Sequence, residues 1–460
     1  MPIPTTLYPE YKKLLAEFIK FKSVSTDEKY KPDIEKTAKW LTHIFAQNGF
    51  TGHIVRGYGN PIVVARYTVH PLKKTCLIYG HYDVQPAEVK DGWKKDPFTL
   101  REEKGRLIAR GAVDNKGQIA VHMATIFSLI KSGKLEYNVV FLIEGDEESG
   151  SSDMAKFIRD NKKLIESDFV LISDGEITSC YPTLEAGFRG VLNATISLST
   201  SDRDLHSGIY GGAVPNSAHE LVLLLDKLFD EEKYVVTIPG FYDDVPEMKK
   251  EHFLETKKLP FSISNLQSVT GLKQVLVEKG HNFHSQVGFR PTLQVTGIES
   301  GYTGVGYRNS VPHKAVAKLN FRLVPEQDPA DIKRKVEAYL KKITPKHCEV
   351  KFEAKESSKG VRLSLNNEYA GNIKDLMEKV YKKRALIKHC GATLPIVTEI
   401  DRLLSVPQVL MPIANEDCRM HAVDENFELG HLKKALQLSH ELFSLKKVEK
   451  SKIKIKKAKK

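Results

Sequence analysis

Short apolar runs alternate with segments of helical periodicity along the first 187 residues of the chain. The apolar runs predict buried strands, and they are IVVARY (62–67), CLIYG (76–80), VVFLIEG (139–145) and FVLIS (169–173). The helical segments among them cover residues 7–22, 33–48 and 118–133. This alternation is typical of an α/β fold, in which helices flank a largely parallel sheet.

A different pattern begins near residue 188. Apolar and polar residues alternate, as in half-exposed strands, over residues 191–199, 291–300, 314–323 and 348–354. Helical stretches at 217–229 and 328–343 lie among them, which favours an α+β domain with an antiparallel sheet. The first pattern returns after residue 362, with helical segments at 368–384 and 428–445. We therefore predict a discontinuous α/β domain (1–187 and 362–448) interrupted by an inserted lid or dimerisation domain (188–361).

The charge and hydropathy patterns exclude a membrane protein. The chain is 41% hydrophobic and 28% charged, as in globular proteins, and no apolar run approaches the roughly 18 residues that span a bilayer. The N-terminus does not resemble a secretory signal, so we predict a cytoplasmic location.

The net charge of +12 comes mostly from residues 446–460, which hold nine lysines and one glutamate. We predict a Lys-rich, disordered tail at 449–460. The alternative is a weak, salt-sensitive attraction of this tail to nucleic acid or anionic membrane.

The cysteines are odd in number and widely scattered. None has CxxC spacing, which argues against a disulfide framework and against a thiolate zinc site. The five are Cys76, Cys180, Cys348, Cys390 and Cys418. We predict that they are reduced.

Acidic and imidazole side chains follow three of the four predicted strands. The run CLIYG leads into His81 and Asp83, VVFLIEG leads into Asp146, Glu147 and Glu148, and FVLIS leads into Asp174. Residues two apart in a strand point to the same face, so His81 and Asp83 share a side. A single strand that ends in polar residues is ordinary. Ligands of open α/β sheets, however, bind beyond the carboxyl ends of the strands, so several such ends at one edge are informative. Three such ends together predict a functional site.

Asp114 adds a further carboxylate, in the glycine-flanked turn GAVDNKGQ (111–118) just before a helix. Several carboxylates at one edge repel each other unless cations lie among them. Carboxylates and imidazoles are suitable ligands for zinc, manganese or cobalt. A bridging aspartate can hold two such ions about 3.5 to 4 Å apart, as in two-metal hydrolases.

The motifs that carry these residues resemble the M20 family of metallopeptidases, particularly its dipeptidase branch. They are HYDVQP (81–86), GAVDNKG (111–117), EGDEESGS (144–151) and SDG (173–175). Further similar segments are WKKDPF (93–98), LHSGIYGG (205–212), VPHKAVAKLNFRLVP (311–325) and HAVDEN (421–426). The resemblance implies a dinuclear catalytic domain and an inserted lid domain through which two copies form a homodimer.

The resemblance also implies a role for each residue of the site. The implied metal ligands are His81 and Asp174 for one ion, Glu148 and His421 for the other, and Asp114 as the bridge. Asp83 would fix the tautomer of His81, and Glu147 would be the general base that takes a proton from the metal-bound water. A cis peptide bond is implied between Asp114 and Asn115.

The resemblance also implies four further residues in catalysis or substrate binding, three in the inserted domain and one, Thr393, after it. His206 matches a histidine that reaches the active site of the partner subunit and steadies the oxyanion. Arg322 and Asn309 lie where the branch has groups for the substrate carboxylate and oxyanion, and Thr393 ends the loop Gly391–Thr393, where the branch usually has Gly-Gly-Ser. The differences at 309, 392 and 393 leave the exact substrate open.

These observations predict a metal-dependent hydrolase that cleaves the amide bond of dipeptides or other short peptides, with two divalent ions, zinc foremost and manganese or cobalt as alternatives. Two other functions stay open. An N-acyl amino-acid deacylase of the same family would share every ligand. A metal-free binding protein would keep the fold, although the intact ligand set and Glu147 argue against it.

Overall fold

The computed structural model describes residues 4–444, so the predicted Lys-rich tail and its contacts lie outside the described residues. The helices are α1 (Leu7–Ile19), α2 (Lys31–Gln47), α3 (Lys116–Lys131), α4 (Met154–Asp160), α5 (Ser207–Tyr210), α6 (Ser217–Asp226), α7 (Lys250–Thr256), α8 (Ile263–Thr270), α9 (Phe283–Phe289), α10 (Pro329–Ile343), α11 (Glu368–Tyr381), α12 (Pro395–Leu404) and α13 (Leu429–Ser444). Within residues 4–444, no helix combines the length and the apolar character needed to cross a membrane.

The strands are β1 (Thr51–Val55), β2 (Ile62–Tyr67), β3 (Thr75–His81), β4 (Arg101–Glu103), β5 (Arg106–Ile108), β6 (Asn138–Glu144), β7 (Phe169–Ile172), β8 (Thr183–Phe188), β9 (Gly190–Ser199), β10 (Leu205–His206), β11 (Phe229–Asp230), β12 (Val235–Val236), β13 (Thr292–Ser300), β14 (Ser310–Val311), β15 (Lys314–Leu323), β16 (Glu349–Ser358), β17 (Val361–Arg362), β18 (Leu386–Cys390), β19 (Gln408–Leu410) and β20 (Asn426–Glu428).

The chain forms two compact units. The first contains the described residues up to Leu184, Ser364–Leu386 and the described residues from Glu399 onward. The second contains Glu185–Leu363 and Ile387–Thr398.

A largely parallel sheet lies at the centre of the first unit, with its strands in the order β1-β2-β6-β3-β7-β19. The pairs β3–β6, β3–β7 and β7–β19 are parallel, whereas β1–β2 and β2–β6 are antiparallel. His81 pairs with Glu144, and Tyr79 pairs with Ile172, so β3, β6 and β7 end together. The segments that follow these strands therefore meet at one edge of the sheet.

Helix α3 packs against both α1 and α13. Every residue from Lys116 to Phe127 is buried. The helix is therefore buried on all sides, as expected for a mainly apolar helix enclosed by other elements. It begins two residues after Asp114, so its packing fixes the turn that holds this carboxylate.

The second unit contains a separate antiparallel sheet in the order β13-β15-β9-β16. Burial alternates strictly along β9 because one face of the sheet packs against α6 and α10. Asp328 caps α10 by accepting the N–H of Ala330, and Asn216 caps α6. The prediction of a largely parallel α/β sheet with a separate antiparallel sheet is confirmed.

Candidate metal centre

His81 is the last residue of β3, and its side chain is fully buried. Its Nδ1 lies 3.1 Å from the backbone carbonyl oxygen of Asp83 and 3.4 Å from Oδ1 of the same residue. An acceptor at Nδ1 places the ring proton there and leaves Nε2 free to bind a cation. The structure thus brings His81 and Asp83 together, with the backbone carbonyl as the nearer acceptor.

The carboxylate of Asp83 also makes contacts that the sequence did not suggest. It accepts the backbone N–H of Glu147 at 3.3 Å and that of Glu148 at 3.0 Å. Asp83 therefore links the end of β3 to the turn after β6. It positions His81 and both glutamates at once.

Asp114 is buried in the turn before α3, and the peptide bond between Asp114 and Asn115 is cis. The backbone of this turn binds Glu425, whose Oε1 accepts the N–H groups of Val113 and Asp114 at 2.9 and 3.0 Å. Oε2 of Glu425 accepts from Gly111 N–H and from Arg110 Nη1 at 3.0 and 2.7 Å. Glu425 is fully buried, and sequence reasoning did not assign it a role.

Two groups of three ligand-type side chains share Asp114. In the first, His81 Nε2 lies 3.1 Å from Asp114 Oδ1 and 3.6 Å from Asp174 Oδ2. In the second, His421 Nε2 lies 2.7 Å from Asp114 Oδ2 and 3.4 Å from Glu148 Oε2. Within each group the ligand atoms lie within 4.8 Å of one another. All five residues predicted as metal ligands therefore lie together in the first unit.

His421 has a left-handed backbone, with φ of 61°. This conformation is uncommon for residues other than glycine and is often found at functional sites. It lies in a loop with two further positive φ values, at Arg419 and Asp424.

The carboxylates create a strong negative potential at both imidazoles. Burial favours a neutral His81, but hydrogen bonds to Asp114 and Asp83 hold its pKa well above the usual value. Hydrogen bonds to Asp114 and Glu148 raise the pKa of His421 to about 10. Burial opposes ionisation of Asp114, yet its contacts with His421 and His81 keep the pKa of this carboxyl low. The carboxylates of the site thus favour a positive charge at the imidazoles of His81 and His421.

These residues fit divalent metal ions. The donor set is carboxylate and imidazole, the ligand types preferred by zinc and manganese. Buried Oε1 of Glu148 has no hydrogen-bond partner within residues 4–444. Oε2 of the same residue accepts from Gln85 at 2.7 Å, which fixes the direction of the carboxylate. A buried carboxylate oxygen without a protein donor is suited to bind a cation or an ordered water.

Glu147 lies beside the first group, with Oε2 4.0 Å from His81 Nε2. Burial raises the pKa of Glu147 well above its usual value. The nearby carboxylates of Asp174 and Asp114 raise it further, against the opposite effect of His81. A glutamate with a raised pKa can accept and return a proton near neutral pH.

The other predicted residues belong to the second unit. His206 pairs with Ser310 across β10 and β14, and the backbone carbonyl of Asn309 accepts the N–H of Ser207 at 3.0 Å. Nδ1 of the exposed His206 accepts the N–H of Gly208 at 3.1 Å. The neutral ring therefore carries its proton on Nε2, where it can donate to an anion.

Arg322 and Thr393 contact each other. Nη1 of Arg322 donates to Thr393 Oγ1 at 2.9 Å, and that hydroxyl donates to the backbone carbonyl of Arg189 at 2.7 Å. Burial, together with the nearby charge of Arg322, lowers the pKa of Arg189 to about 10. Within residues 4–444, neither guanidinium pairs with a carboxylate. Arg189 was not predicted, because a single arginine after a strand has no distinguishing spacing.

Known proteins share this chain's sequence and fold. A Cys-Gly metallodipeptidase of Schizosaccharomyces pombe is 28% identical over 95% of this chain and 96% of its own length. The human Beta-Ala-His dipeptidase is 29% identical over 79% of this chain and 73% of its own. The crystal structure of an M20 family metallo-carboxypeptidase from Sulfolobus solfataricus has 31% identity and a TM-score of 0.84, covering 96% of this chain and 99% of that one.

The family model of peptidase family M20/M25/M40 matches residues 77–444. This range begins in β3 and includes every residue of the two ligand groups. The family suggested by the sequence motifs is confirmed, and the chain belongs to peptidase family M20/M25/M40.

Proposed function

We propose that the chain is a dinuclear metal-dependent peptidase that hydrolyses the amide bond of dipeptides or other short peptides. One observation carries the proposal: Asp114 belongs to both ligand groups, with one oxygen facing His81 and the other facing His421. A carboxylate in this position is suited to bridge two ions. Zinc suits the donors best, and manganese or cobalt would also suit them.

Two divalent ions held there would supply Lewis-acid activation of the substrate carbonyl and of the attacking water. Asp114 would bridge the ions, with His81 and Asp174 on one and Glu148 and His421 on the other. Asp83 would hold the His81 ring and the Glu147 backbone in place. Glu147 would accept a proton from the attacking water and deliver it to the amine that leaves.

Substrate recognition would involve the second unit. Arg322 and Arg189 are partly buried cations without a carboxylate partner in residues 4–444, which favours an anion such as a peptide C-terminal carboxylate. Arg322 would bind this carboxylate and Asn309 the oxyanion, and Thr393 would hold the guanidinium of Arg322 in place. The names of the two dipeptidase relatives support a substrate of two residues.

A second candidate is a carboxypeptidase that removes the last residue of longer peptides. It is favoured by the similarity to the Sulfolobus enzyme, which has higher identity than the two dipeptidases. A carboxypeptidase would use the same chemistry as a dipeptidase. It would differ only in having space for the longer amino-terminal part of its substrate. An N-acyl amino-acid deacylase would need the same ligands, but no observation favours it.

We also propose that two copies associate through the second unit, and that His206 of one copy steadies the oxyanion at the site of the other. Large apolar side chains of this unit support an interface, since Ile209, Val222, Leu223 and Ile298 each expose more than half of their surface. The Nε2 proton inferred for His206 is the donor that an oxyanion requires. A cytoplasmic location stays a prediction from the sequence.

A substrate panel tests the function. The protein, loaded separately with zinc and manganese, is assayed against dipeptides, the matching tripeptides and longer peptides, and N-acetyl amino acids. We expect the highest kcat/KM for dipeptides. A preference for longer peptides with release of the last residue would establish the carboxypeptidase, and a preference for acetylated amino acids would refute peptidase function.

The Glu147→Ala variant tests the assigned base. Loss of a general base lowers kcat by about 10²- to 10⁴-fold, whereas metal content measured by mass spectrometry should stay at the wild-type value. Asp153→Ala is a nearby control, because Asp153 is exposed and its side chain does not cap α4. This variant should keep its metal and most of its activity. Substantial residual turnover in Glu147→Ala would contradict the assignment.

A further inference from the structure

A third group of metal-ligand side chains lies in the second unit, apart from the residues assigned to hydrolysis. It consists of Glu220, His347 and Cys348, and their ligand atoms lie within 4.8 Å of one another. Nε2 of His347 is 3.0 Å from Glu220 Oε1. The thiol of Cys348 hydrogen-bonds to the same carboxylate. The three donors therefore converge on one point.

Two packed elements bring these residues together. Glu220 lies in the first turn of α6, which packs against β9 and β15. His347 and Cys348 come directly before β16, and a turn in which Cys348 N–H donates to the Pro345 carbonyl at 3.0 Å fixes their position. Glu220 and His347 are 127 positions apart, so local chain geometry does not explain the convergence.

The burial of the three side chains resembles that of a metal site open on one side. Cys348 is only 9% exposed, and the side chain of Glu220 is 18% exposed. His347 lies at the surface, with 53% of its side chain exposed. The exposed side of the group faces solvent, from which a water molecule would supply the fourth ligand of a tetrahedral ion.

We propose that Glu220, His347 and Cys348 form a second, structural binding site for a zinc-type divalent cation. Thiolate, imidazole and carboxylate together are ligands that zinc prefers. Tetrahedral zinc–ligand bonds of about 2.0 to 2.3 Å separate such ligand atoms by roughly 3.3 to 3.6 Å. The three ligand atoms already lie within 4.8 Å of one another, so small side-chain shifts would bring them to this spacing. A deprotonated Cys348 and Glu220 contribute two negative charges, which neutralise one divalent ion.

Binding has a defined proton balance. Burial, together with the nearby Glu220 carboxylate, raises the pKa of the Cys348 thiol to about 11. The free thiol is therefore protonated at neutral pH and is a poor nucleophile. The cation forms a bond to sulfur, and the thiol proton leaves to solvent. A bound ion would link the start of α6 to the start of β16.

The sequence argued against a thiolate zinc site because no cysteine has CxxC spacing. That argument missed this group because its ligands are one adjacent His-Cys pair and a glutamate more than a hundred residues away. The donors meet only once the antiparallel sheet and α6 have formed.

Cobalt(II) absorption tests the proposal in the full-length protein. The catalytic ligand groups contain only imidazole and carboxylate, so a near-ultraviolet thiolate-to-cobalt charge-transfer band reports the proposed site alone. We expect this band on titration of metal-free protein with Co²⁺, its displacement by Zn²⁺, and its loss in Cys348→Ser. Absence of the band in the wild type, or its persistence in Cys348→Ser, would overturn the proposal.

Cys418→Ser is the matched control. Cys418 is a buried thiol whose Sγ lies 3.5 Å from a carboxylate oxygen of Glu176, but among residues 4–444 no imidazole completes a metal-ligand group around it. This variant should keep the band. If Cys418→Ser loses it and Cys348→Ser keeps it, the thiolate site lies elsewhere and the proposal is wrong.

Metal content and peptidase activity separate this proposal from the proposed function. Cys348→Ser should bind one zinc ion fewer per chain than the wild type, with unchanged kcat and KM for a dipeptide. The surface variant His347→Asn should bind zinc at this site at least about tenfold more weakly. Equal zinc content in the wild type and Cys348→Ser would refute the second site, whether or not the protein hydrolyses peptides.

Discussion

Glu425 shows how one residue outside the ligand set can determine the geometry of the site. Its two oxygens accept three backbone N–H groups and the guanidinium of Arg110, and it is fully buried. These contacts fix the backbone of residues 110–114 and therefore the direction of the Asp114 carboxylate. The loop that carries His421 thus also holds Asp114 in place through Glu425.

We expect Glu425→Gln to lower both stability and metal affinity. The amide keeps the size of the side chain but leaves the buried guanidinium of Arg110 without its anion, which costs about 3 to 5 kcal/mol. Displacement of the turn should weaken metal binding by about 10- to 100-fold. Urea denaturation measures the free energy of unfolding, and competition with a chelating dye measures metal affinity.

Glu17→Gln is the control for loss of a charge. Glu17 pairs with Lys20 at the surface, and both side chains are about half exposed or more. Replacement of Glu17 should change neither the free energy of unfolding nor the metal affinity measurably. Wild-type stability in Glu425→Gln would show that the ion pair does not hold the turn.

At the residue scale, the sequence motifs identified the side chains that the structure brings together around Asp114. They did not identify Glu425 or the contacts of the Asp83 carboxylate. The partners of both carboxylates are mostly backbone N–H groups, which every residue except proline carries. Such contacts leave no spacing in the sequence and become visible only when the turns are folded.

At the scale of elements, His122 of α3 connects its helix to two other parts of the first unit by hydrogen bonds. Its Nε2 lies 2.9 Å from Oγ of Ser173, which follows β7, and its Nδ1 lies 3.0 Å from Oγ of Ser439 on α13. Ser173 Oγ donates its own proton to the Met411 carbonyl, so Nε2 of His122 must be the donor to Ser173. Nδ1 then accepts from Ser439, and the neutral ring satisfies both contacts.

The pKa of His122 predicts a loss of stability in acid. Burial lowers this pKa to about 3, whereas the unfolded chain binds the proton near pH 6.5. The stabilisation is complete above pH 6.5 and falls as the pH drops toward the folded-state pKa. At pH 5 the difference amounts to about 2 kcal/mol.

His122→Gln should abolish this part of the pH dependence. Between pH 8 and pH 5, the free energy of unfolding of the variant should fall by about 2 kcal/mol less than that of the wild type. Urea denaturation at both pH values measures the difference. His43→Gln removes an exposed histidine of α2 and should follow the wild type, and equal slopes for His122→Gln and the wild type would contradict the prediction.

The elements with strong periodicity were predicted well, and the short ones were missed. The buried runs at 62–67, 76–80, 139–145 and 169–173 correspond to β2, β3, β6 and β7. Strand β19 has three residues and β1 alternates only weakly, so neither differs in sequence from a loop. Both become strands because the sheet provides a neighbour with free backbone groups.

At the scale of the whole molecule, the proposed role of His206 in a second copy can be tested by complementation. Glu147→Ala and His206→Ala are each expected to be inactive alone. If His206 acts in the other copy, a mixed dimer contains one intact site, which combines Glu147 of one chain with His206 of the other. Random reassembly of equal amounts then restores about a quarter of wild-type activity, because half of the dimers carry one intact site of two.

Subunit exchange, followed by dipeptide hydrolysis, measures this recovery. Mixing Glu147→Ala with Asp114→Ala is the control, because both changes affect the same ligand environment and no mixed dimer gains an intact site. Absence of recovery in the His206 mixture, with mixed dimers demonstrated by mass spectrometry, would mean that His206 does not act across an interface.

The order of strands in the first unit also has a consequence for synthesis of the chain. Ser173, at the end of β7, bonds to Met411, at the end of β19, across 238 positions of sequence. The whole of the second unit is translated between these two residues. The edge of β7 that pairs with β19 therefore stays without this partner while the ribosome makes that stretch, and such unpaired edges favour aggregation. The contact order of this sheet is high, so we expect slow maturation of the first unit, with the histidine at 421 among the last groups to join the centre.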